Sequence, residues 1–397
     1  MKILFIVVDG LGDEKIPALG NKTPLQAAET PNLDFLAREG ICGVGFPVFS
    51  GAIPTSEEGH FALFGYDPRK VPLKRGYFMA LGLKLKLKKG DVVLRGNFAT
   101  VDKNLKVIDR RAGRIKNTLP LIKAISKIRE IRGVKILIKK GPEYRLCLIL
   151  RGKNLSWKVS DGDPFYSKLQ VKVSKIEPLE KTKKASFTAE ILNEFLEKAH
   201  QILKNHPFNK ERKFPANYIL LRGASTPQKI PSFYQKYKLK AGFIAGKALY
   251  KGIGKALKMK EIKVKGATGL VNTNLKGKFL SAKKALKKYE FIFLHIKATD
   301  SLAEDGKFEE KKKFIEKIDK EIKRIIGLKN VLVVVTADHS TCSLLKRHCK
   351  APFPILIYGN GKDKVEEFSE KACQKGKLGK ISSLKLMPLL MKLRKNV

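Results

Sequence analysis

The stretch Lys2-Ile3-Leu4-Phe5-Ile6-Val7-Val8-Asp9-Gly10 opens the chain with apolar and β-branched residues and stops at an aspartate and a glycine. A run this short, without polar alternation, reads as a strand buried on both faces. The pattern recurs at 331–336, where it runs into Ala337-Asp338-His339-Ser340-Thr341, and at 290–296, which runs out into Ala298-Thr299-Asp300. Further apolar runs bounded by turn residues lie at 134–138, 145–150, 217–221 and 355–357. Helical periodicity falls between many of them, at 31–39, 118–131, 186–204, 245–258, 307–325 and 383–393. Strands alternating with helices predict an α/β fold, a mainly parallel sheet flanked by helices.

The middle of the chain reads differently. Strands follow one another more closely there, with turn clusters at Lys88-Lys89-Gly90-Asp91, Gly141-Pro142 and Asp161-Gly162-Asp163-Pro164. This predicts a smaller α+β domain, residues 84–237, inserted into a discontinuous domain of residues 1–83 and 238–397. Linkers are expected at 83–90 and 227–231.

With 397 residues, 43% of them hydrophobic, the chain can bury one large core or two smaller ones, which excludes a disordered basic tail protein. No apolar run approaches the roughly 18 residues of a membrane span, so a soluble, cytoplasmic protein is expected. The five cysteines, Cys42, Cys147, Cys342, Cys349 and Cys373, are odd in number and lack a C-x-x-C pair, which predicts neither a disulfide framework nor a zinc ribbon. The net charge of +45 raises nucleic acid as a partner. The lysines are spread through nearly every segment after Lys70, so a dedicated nucleic-acid role is disfavoured.

In parallel sheets, ligand groups collect beyond the carboxyl ends of the strands. Asp9, Asp300 and Asp338 each follow an apolar strand, and His339 adjoins Asp338. An aspartate there also caps turns and helices, so each alone is ambiguous. Together with Glu304 and His348 they form a mixed oxygen and nitrogen donor set suited to Mn²⁺ or Zn²⁺, and large enough for two sites. In Pro54-Thr55-Ser56-Glu57-Glu58-Gly59-His60, Thr55 and Glu58 spell a capping box. The same turn places the Ser56 hydroxyl at a positive helix end, where a phosphoryl group is stabilised, and both readings stand.

Asp109-Arg110-Arg111-Ala112-Gly113-Arg114 gathers arginine where lysine dominates elsewhere, which favours a carboxylate or phosphate clamp over a solvated loop. Gly252-x-Gly254 lacks the third glycine of a dinucleotide fingerprint. His295 reads as a core histidine, His200 and His206 as surface residues, and His60 as a support for Ser56.

Val7-Val8-Asp9-Gly10-Leu11-Gly12-Asp13, Thr23-Pro24-Leu25, Thr30-Pro31-Asn32-Leu33-Asp34, Gly59-His60 with Phe64-Gly65-Tyr66-Asp67-Pro68, Asn97-Phe98-Ala99-Thr100, the arginine motif, 266–269 and 336–341 follow one another along the chain. Together these segments resemble the archaeal-type cofactor-independent phosphoglycerate mutases of the alkaline phosphatase superfamily. The resemblance implies a binuclear phosphatase-like domain carrying an inserted substrate-binding domain. It implies one metal held by Asp9, Ser56, Asp338 and His339, and another by Asp300, Glu304 and His348. Ser56 would carry the phosphoryl group as nucleophile. Asp109, Arg110, Arg111, Arg114, Arg222 and Lys240 would bind substrate, and Asp163 would serve in acid–base catalysis.

The implied cofactors are two divalent ions, Mn²⁺ first, with Mg²⁺, Zn²⁺ or Co²⁺ as alternatives, and no 2,3-bisphosphoglycerate. The implied partner is phosphoglycerate, interconverted between its 3- and 2-phospho forms. Three positions depart from the family pattern: Glu304 stands for a usual histidine, Ser56-Glu57 for Ser-Asp, and Phe165 where a histidine often follows. A metal-dependent phosphohydrolase or phosphotransferase, or a catalytically impaired binding relative, are the rival readings.

Overall fold

The Lys2–Val8 strand is buried beyond its first residue, because it is flanked on both sides within a sheet. It pairs in parallel with Phe291–Ile296 and with Val331–Thr336, setting Val8 beside Ile296 and Val7 beside Thr336. The strands therefore finish level, and Asp9, Ala298 onward and Ala337 onward emerge at one edge of the sheet. In this computed structural model, described for residues 1–48, 51, 53–71, 74–164 and 171–395, the chain divides into an outer unit, residues 1–73 with 230–397, and an inserted unit, 74–229.

Among the described residues, the outer unit's sheet has eight strands in the order Lys260–Glu261, Ala241–Ile244, Phe291–Ile296, Lys2–Val8, Val331–Thr336, Phe353–Tyr358, Gly40–Phe46 and Gly379–Ser382. Phe353–Tyr358 runs against the others, which are mutually parallel, so the sheet is mainly parallel as the alternating pattern predicts. Gly40–Phe46 is legible only in the structure, because its glycines disguise it. A Cβ at Gly40 would sit 2.7 Å from the Ile357 carbonyl oxygen, and one at Gly43 2.6 Å from the Leu378 Cβ. Close backbone approach, not packing side chains, selects those residues.

The inserted unit is an antiparallel sheet. Val92–Val101 pairs with Arg145–Arg151 on one side and with Tyr218–Ser225 and Val107–Asp109 on the other. Val134–Lys140 and Glu130–Ile131 extend it. Helix Lys183–Lys204, capped by Thr182 on the Ala185 N–H, buries Ile191, Leu192, Phe195 and Leu203 against one face with Leu119–Ile125. Helix Arg75–Gly82 covers part of the other, packing Met79 and Ala80 on Val93, Cys147 and Ile149.

The units divide at 73/74 and 229/230, beside the expected 83/84 and 237/238. Three further expectations need correction. The expected linker at 83–90 instead packs Leu83, Leu85 and Leu87 onto the Met79–Val93 cluster, since alternating leucines have an apolar surface to meet. The helix expected over 118–131 stops at Ile125 and gives way to the strand Glu130–Ile131. Cys342 and Cys349, expected unpaired, form a disulfide. The hairpin Ser340–Cys342 with Arg347–Cys349 brings their Cα atoms to 5.8 Å, which a linear spacing of seven residues does not reveal. Cys42, Cys147 and Cys373 are buried thiols. No helix among the described residues is long and apolar enough to cross a membrane.

Candidate active site

The ends of the three central strands build the site. Asp9 is fully buried, with His295 Nε2 2.9 Å from its Oδ2 and Lys297 Nζ 3.0 Å from its Oδ1. Gly10 turns the chain directly after it with φ +63°, and a Cβ there would lie 2.5 Å from Thr341 Oγ1 and 2.7 Å from Asp300 Cβ. Only glycine lets the loops after all three strands meet this closely. Gly10 N donates to Asp338 Oδ1 over 3.3 Å.

Asp300 sits in the first turn of the helix Ala298–Glu304. Its Oδ1 accepts from Thr341 Oγ1 at 2.6 Å and lies 3.5 Å from His348 Nε2, and its Oδ2 pairs with Lys297. His339 is fully buried, its Nε2 3.2 Å from Asp338 Oδ2, 3.5 Å from Ser56 Oγ and 3.8 Å from Asp9 Oδ1. Its ring stacks on His348 with centroids 3.6 Å apart.

Ser56 is the first residue of the helix Ser56–Leu63, whose capping box is supplied by Thr55 and Glu58. The capping reading holds, and because Thr55 does the capping, the Ser56 hydroxyl is left to face His339. His60, one turn on, places Nδ1 2.7 Å from the Ser56 carbonyl oxygen and 3.1 Å from Asp338 Oδ2.

Two clusters result, Asp9–Asp338–His339 and Asp300–His339–His348, each with ligand atoms within 4.8 Å of one another. A third, Asp9–His60–His295, adjoins them. His295 is thus no ordinary core histidine. It is buried as expected, but it holds Asp9. Glu304 shares the Asp300 helix one turn later, and its carboxylate joins none of the clusters found among the described residues.

The electrostatics follow from burial and pairing. Burial pushes the Asp300 and Asp338 carboxyls up, but Lys297 and His348 hold Asp300, and His339 and His60 hold Asp338, well below the usual range. Asp9 is also lowered, with Lys297 and His295 outweighing burial and its carboxylate neighbours. Burial pushes His295 down to about 4. It is therefore neutral near pH 7, and the nitrogen facing Asp9 carries its proton, since a carboxylate only accepts. Lys297 is pushed well above its ordinary value by Asp300 and Asp9 against the cost of its burial. Nothing in the sequence pattern singled out Lys297. Its position two residues before Thr299 and three before Asp300, just past a buried strand, is the signal it left.

The insert's predicted residues separate. Arg110 and Asp163 are buried and paired through both carboxylate oxygens, with Arg222 Nη1 3.8 Å from Asp163 Oδ2. Asp109 Oδ1 accepts the Arg111 and Gly113 N–H groups at 2.7 and 3.1 Å, so it shapes the arginine loop, where Ala112, Gly113 and Arg114 all take positive φ. Lys240 belongs to the outer unit, where it is exposed ahead of the Ala241–Ile244 strand and beside Glu290. That is the amino edge of the parallel sheet, opposite the edge where Asp9 emerges. Phe165 lies outside the described residues.

Residues 1–393 match the metalloenzyme superfamily. A 2,3-bisphosphoglycerate-independent phosphoglycerate mutase of Methanococcus aeolicus is 43% identical over 99% of this chain and 98% of its own length. One from Sulfolobus acidocaldarius is 42% identical, covering 98% and 96%. The chain belongs to the 2,3-bisphosphoglycerate-independent phosphoglycerate mutase family. Among solved structures, a protein from Pyrococcus horikoshii superposes with a TM-score of 0.82 at 33% identity, covering 100% of this chain and 98% of that one. The cofactor-independent phosphoglycerate mutase of Thermoplasma acidophilum gives 0.67 at 34%, covering 99% and 100%. As a member of this mutase family, the protein is an isomerase by class, and its superfamily and donor clusters imply dependence on divalent metal.

Proposed function

We propose that the protein interconverts 3-phosphoglycerate and 2-phosphoglycerate without 2,3-bisphosphoglycerate, by way of a phosphoserine on Ser56. The observation that carries this reading is the Ser56 hydroxyl at a helix start, 3.5 Å from His339 Nε2 and beside the Asp9–Asp338–His339 donors.

The donor chemistry fits divalent cations. Carboxylates held ionised in a buried site call for positive charge, and His60 Nε2 and His295 Nδ1 are buried without a hydrogen-bond partner. Asp9, Ser56, Asp338 and His339 would hold one ion. Asp300 and His348 would hold the other, with Glu304 within reach only if its side chain turns toward them. Mn²⁺ suits a mixed oxygen–nitrogen set, with Mg²⁺, Zn²⁺ and Co²⁺ as alternatives. Such ions lower the pKa of a bound hydroxyl and neutralise phosphoryl charge.

The chain's own groups do the rest. Ser56 Oγ attacks phosphorus as the bond to the glycerate oxygen breaks, and that oxygen takes a proton. The positive amino end of the helix Ser56–Leu63 would stabilise the transferred group's oxygens. Glycerate's other hydroxyl then attacks phosphorus and gives up its proton as the bond to Ser56 Oγ breaks, and Ser56 Oγ recovers a proton. His295 and Lys297 keep Asp9 and Asp300 in place throughout, as buried partners of ligating carboxylates do. The insert's Arg110, Arg111, Arg114 and Arg222 would bind the acid. Asp163 would move the proton only if released from Arg110, which engages both of its oxygens.

The test is direct. Purified protein with Mn²⁺ and 3-phosphoglycerate, and no bisphosphoglycerate, should form 2-phosphoglycerate with little free phosphate, and Ser56→Ala should abolish it. Stoichiometric phosphate release would make the protein a hydrolase instead.

A further inference from the structure

The hairpin that follows Asp338 carries two kinds of chemistry on opposite faces. Ser340–Cys342 pairs antiparallel with Arg347–Cys349, and Thr341 stands directly across from His348. Cross-strand partners share a face. Both turn to the site, where Thr341 Oγ1 donates to Asp300 Oδ1 at 2.6 Å and His348 Nε2 lies 3.5 Å from the same oxygen. Cys342 and Cys349 each follow one residue later, and successive residues of a strand point to opposite faces. Their disulfide therefore closes the hairpin from behind.

Three residues a strand make a marginal hairpin, and these two strands form a sheet of their own. The first strand is anchored. Thr341 N donates to the Gly12 carbonyl oxygen at 3.0 Å, Lys311 Nζ to the Thr341 carbonyl oxygen at 3.1 Å, and the adjoining Ser343 Oγ to Asp13 Oδ2 at 2.6 Å. The second strand, which carries His348, meets that anchored strand through the ladder and the disulfide. His348 Nδ1 lies 2.9 Å from the Pro54 carbonyl oxygen. A carbonyl only accepts, so Nδ1 carries the proton and Nε2 keeps its lone pair toward Asp300. The aim of that nitrogen is thus set by where the second strand lies. Pro54 also leads into the helix that begins at Ser56, so the same strand bears on the nucleophile's end of the site.

We propose that Cys342 and Cys349 are a redox modification site that governs the second metal position. As the disulfide they hold His348 where it can ligate alongside Asp300, and as two thiols they leave its strand free to part from the first. The proposal rests on the reading of Asp300 and His348 as ligands of one ion. Oxidation proceeds by exchange with a disulfide oxidant. One cysteine's sulfur attacks it and releases a thiol, and the other cysteine displaces the second thiol from the mixed disulfide. Two electrons and two protons leave the pair and end on the oxidant's two thiols. Cys342 and Cys349 are 1% and 5% exposed, so exchange requires the hairpin to open, which a bound ion opposes. Linkage makes the two effects equal: whatever factor the disulfide adds to metal affinity, the metal adds to the disulfide's resistance to reduction.

Calorimetric titration of the full-length protein with Mn²⁺, oxidised and after reduction by a dithiol that is then removed, reads the first effect. The oxidised protein should bind two ions, and reduction should weaken one of them by roughly 10- to 100-fold, the usual cost of losing a ligand's support, with the other unchanged. In His348→Ala, reduction should make no further difference. Glutathione buffers of fixed ratio read the second effect, and saturating Mn²⁺ should raise the disulfide-to-dithiol ratio by the same factor. If the reduced chain does not stay folded, Cys342→Val with Cys349→Val fills the buried space without the bond and takes its place. Equal Mn²⁺ affinity in both forms, an equal loss at both positions, or a loss that persists in His348→Ala overturns the proposal. An oxidised protein that binds a single ion removes the ligand reading and the proposal with it. Two ions under redox control in a protein that leaves 3-phosphoglycerate unchanged would remove the mutase reading and leave the lock standing. An active two-ion enzyme indifferent to reduction would do the reverse.

Discussion

Gly59→Ala tests whether the Ser56 helix is seated as closely on the Asp338 loop as the geometry requires. Gly59 lies one turn after Ser56 in Ser56–Leu63, and a Cβ there would stand 2.5 Å from the Asp338 carbonyl oxygen and 3.0 Å from its Cβ. Ordinary contact begins near 3.4 Å, so the helix and the loop must part by about 0.4–0.9 Å. Alanine gains ~1 kcal/mol of helix propensity, while overpacking costs ~1–3 kcal/mol, leaving a net destabilisation of up to ~2 kcal/mol. The effect on turnover should be larger. Misplacement by about 1 Å can cost roughly 100-fold in rate, so kcat should fall by about 10- to 100-fold. Steady-state turnover at saturating Mn²⁺ with a parallel thermal melt reads both. A Gly59→Ala enzyme that melts at or above the wild-type temperature, with kcat within about twofold, would show that the contact is not there and that Ser56 is not held by it.

Three further outcomes follow from the same site. Lys297→Met leaves Asp9 and Asp300 buried without their cation, so the metal-free protein should lose ~3–5 kcal/mol. Mn²⁺ should restore much of the loss, and equal melting of both proteins in chelator would refute the pairing. Glu304→His, on the face of the Asp300 helix one turn away, should shift metal preference from Mn²⁺ and Mg²⁺ toward Zn²⁺ or Co²⁺, and an unaltered preference would exclude Glu304 as a ligand. Glu370 is buried, accepts from Thr23 Oγ1 and the Asp13 N–H, and is pushed up to about 7. Its native pKa lies above its unfolded one, so the native state holds the proton more tightly. Stability should be greatest below pH 4.5 on this account and fall by up to ~3 kcal/mol as pH rises to about 7. Denaturant titrations across that window should show the slope, and Glu370→Gln should flatten it.

The outer strands were legible because sequence and physics agreed. Continuous Val, Ile and Leu runs have no way to be satisfied except by burial on both faces, and each ended at the carboxylate it delivers. Gly40–Phe46 was not, because its glycines answer to neighbouring backbones rather than to a pattern. The arginine-rich loop was read as one clamp, yet Asp109 folds the loop and Arg110 is joined to Asp163 some fifty residues away. Lys240 stands at the amino edge of the outer sheet, which the sequence did not show, since strand direction is a property of the sheet and not of the local sequence. His295 looked like core, and nothing marked Lys297, until the register with Lys2–Val8 brought both to Asp9.

The topology also sets an order of assembly. Lys2–Val8 is made ahead of both its hydrogen-bonding partners, Phe291–Ile296 and Val331–Thr336. It must wait, unpaired, until they have been synthesised. Residues 74–229, by contrast, find their sheet partners within their own unit and can fold while the remainder is still being made. The nascent chain therefore carries a finished insert beside an orphan apolar strand, and holding that strand from other chains becomes a task for the cell's chaperones rather than for the fold.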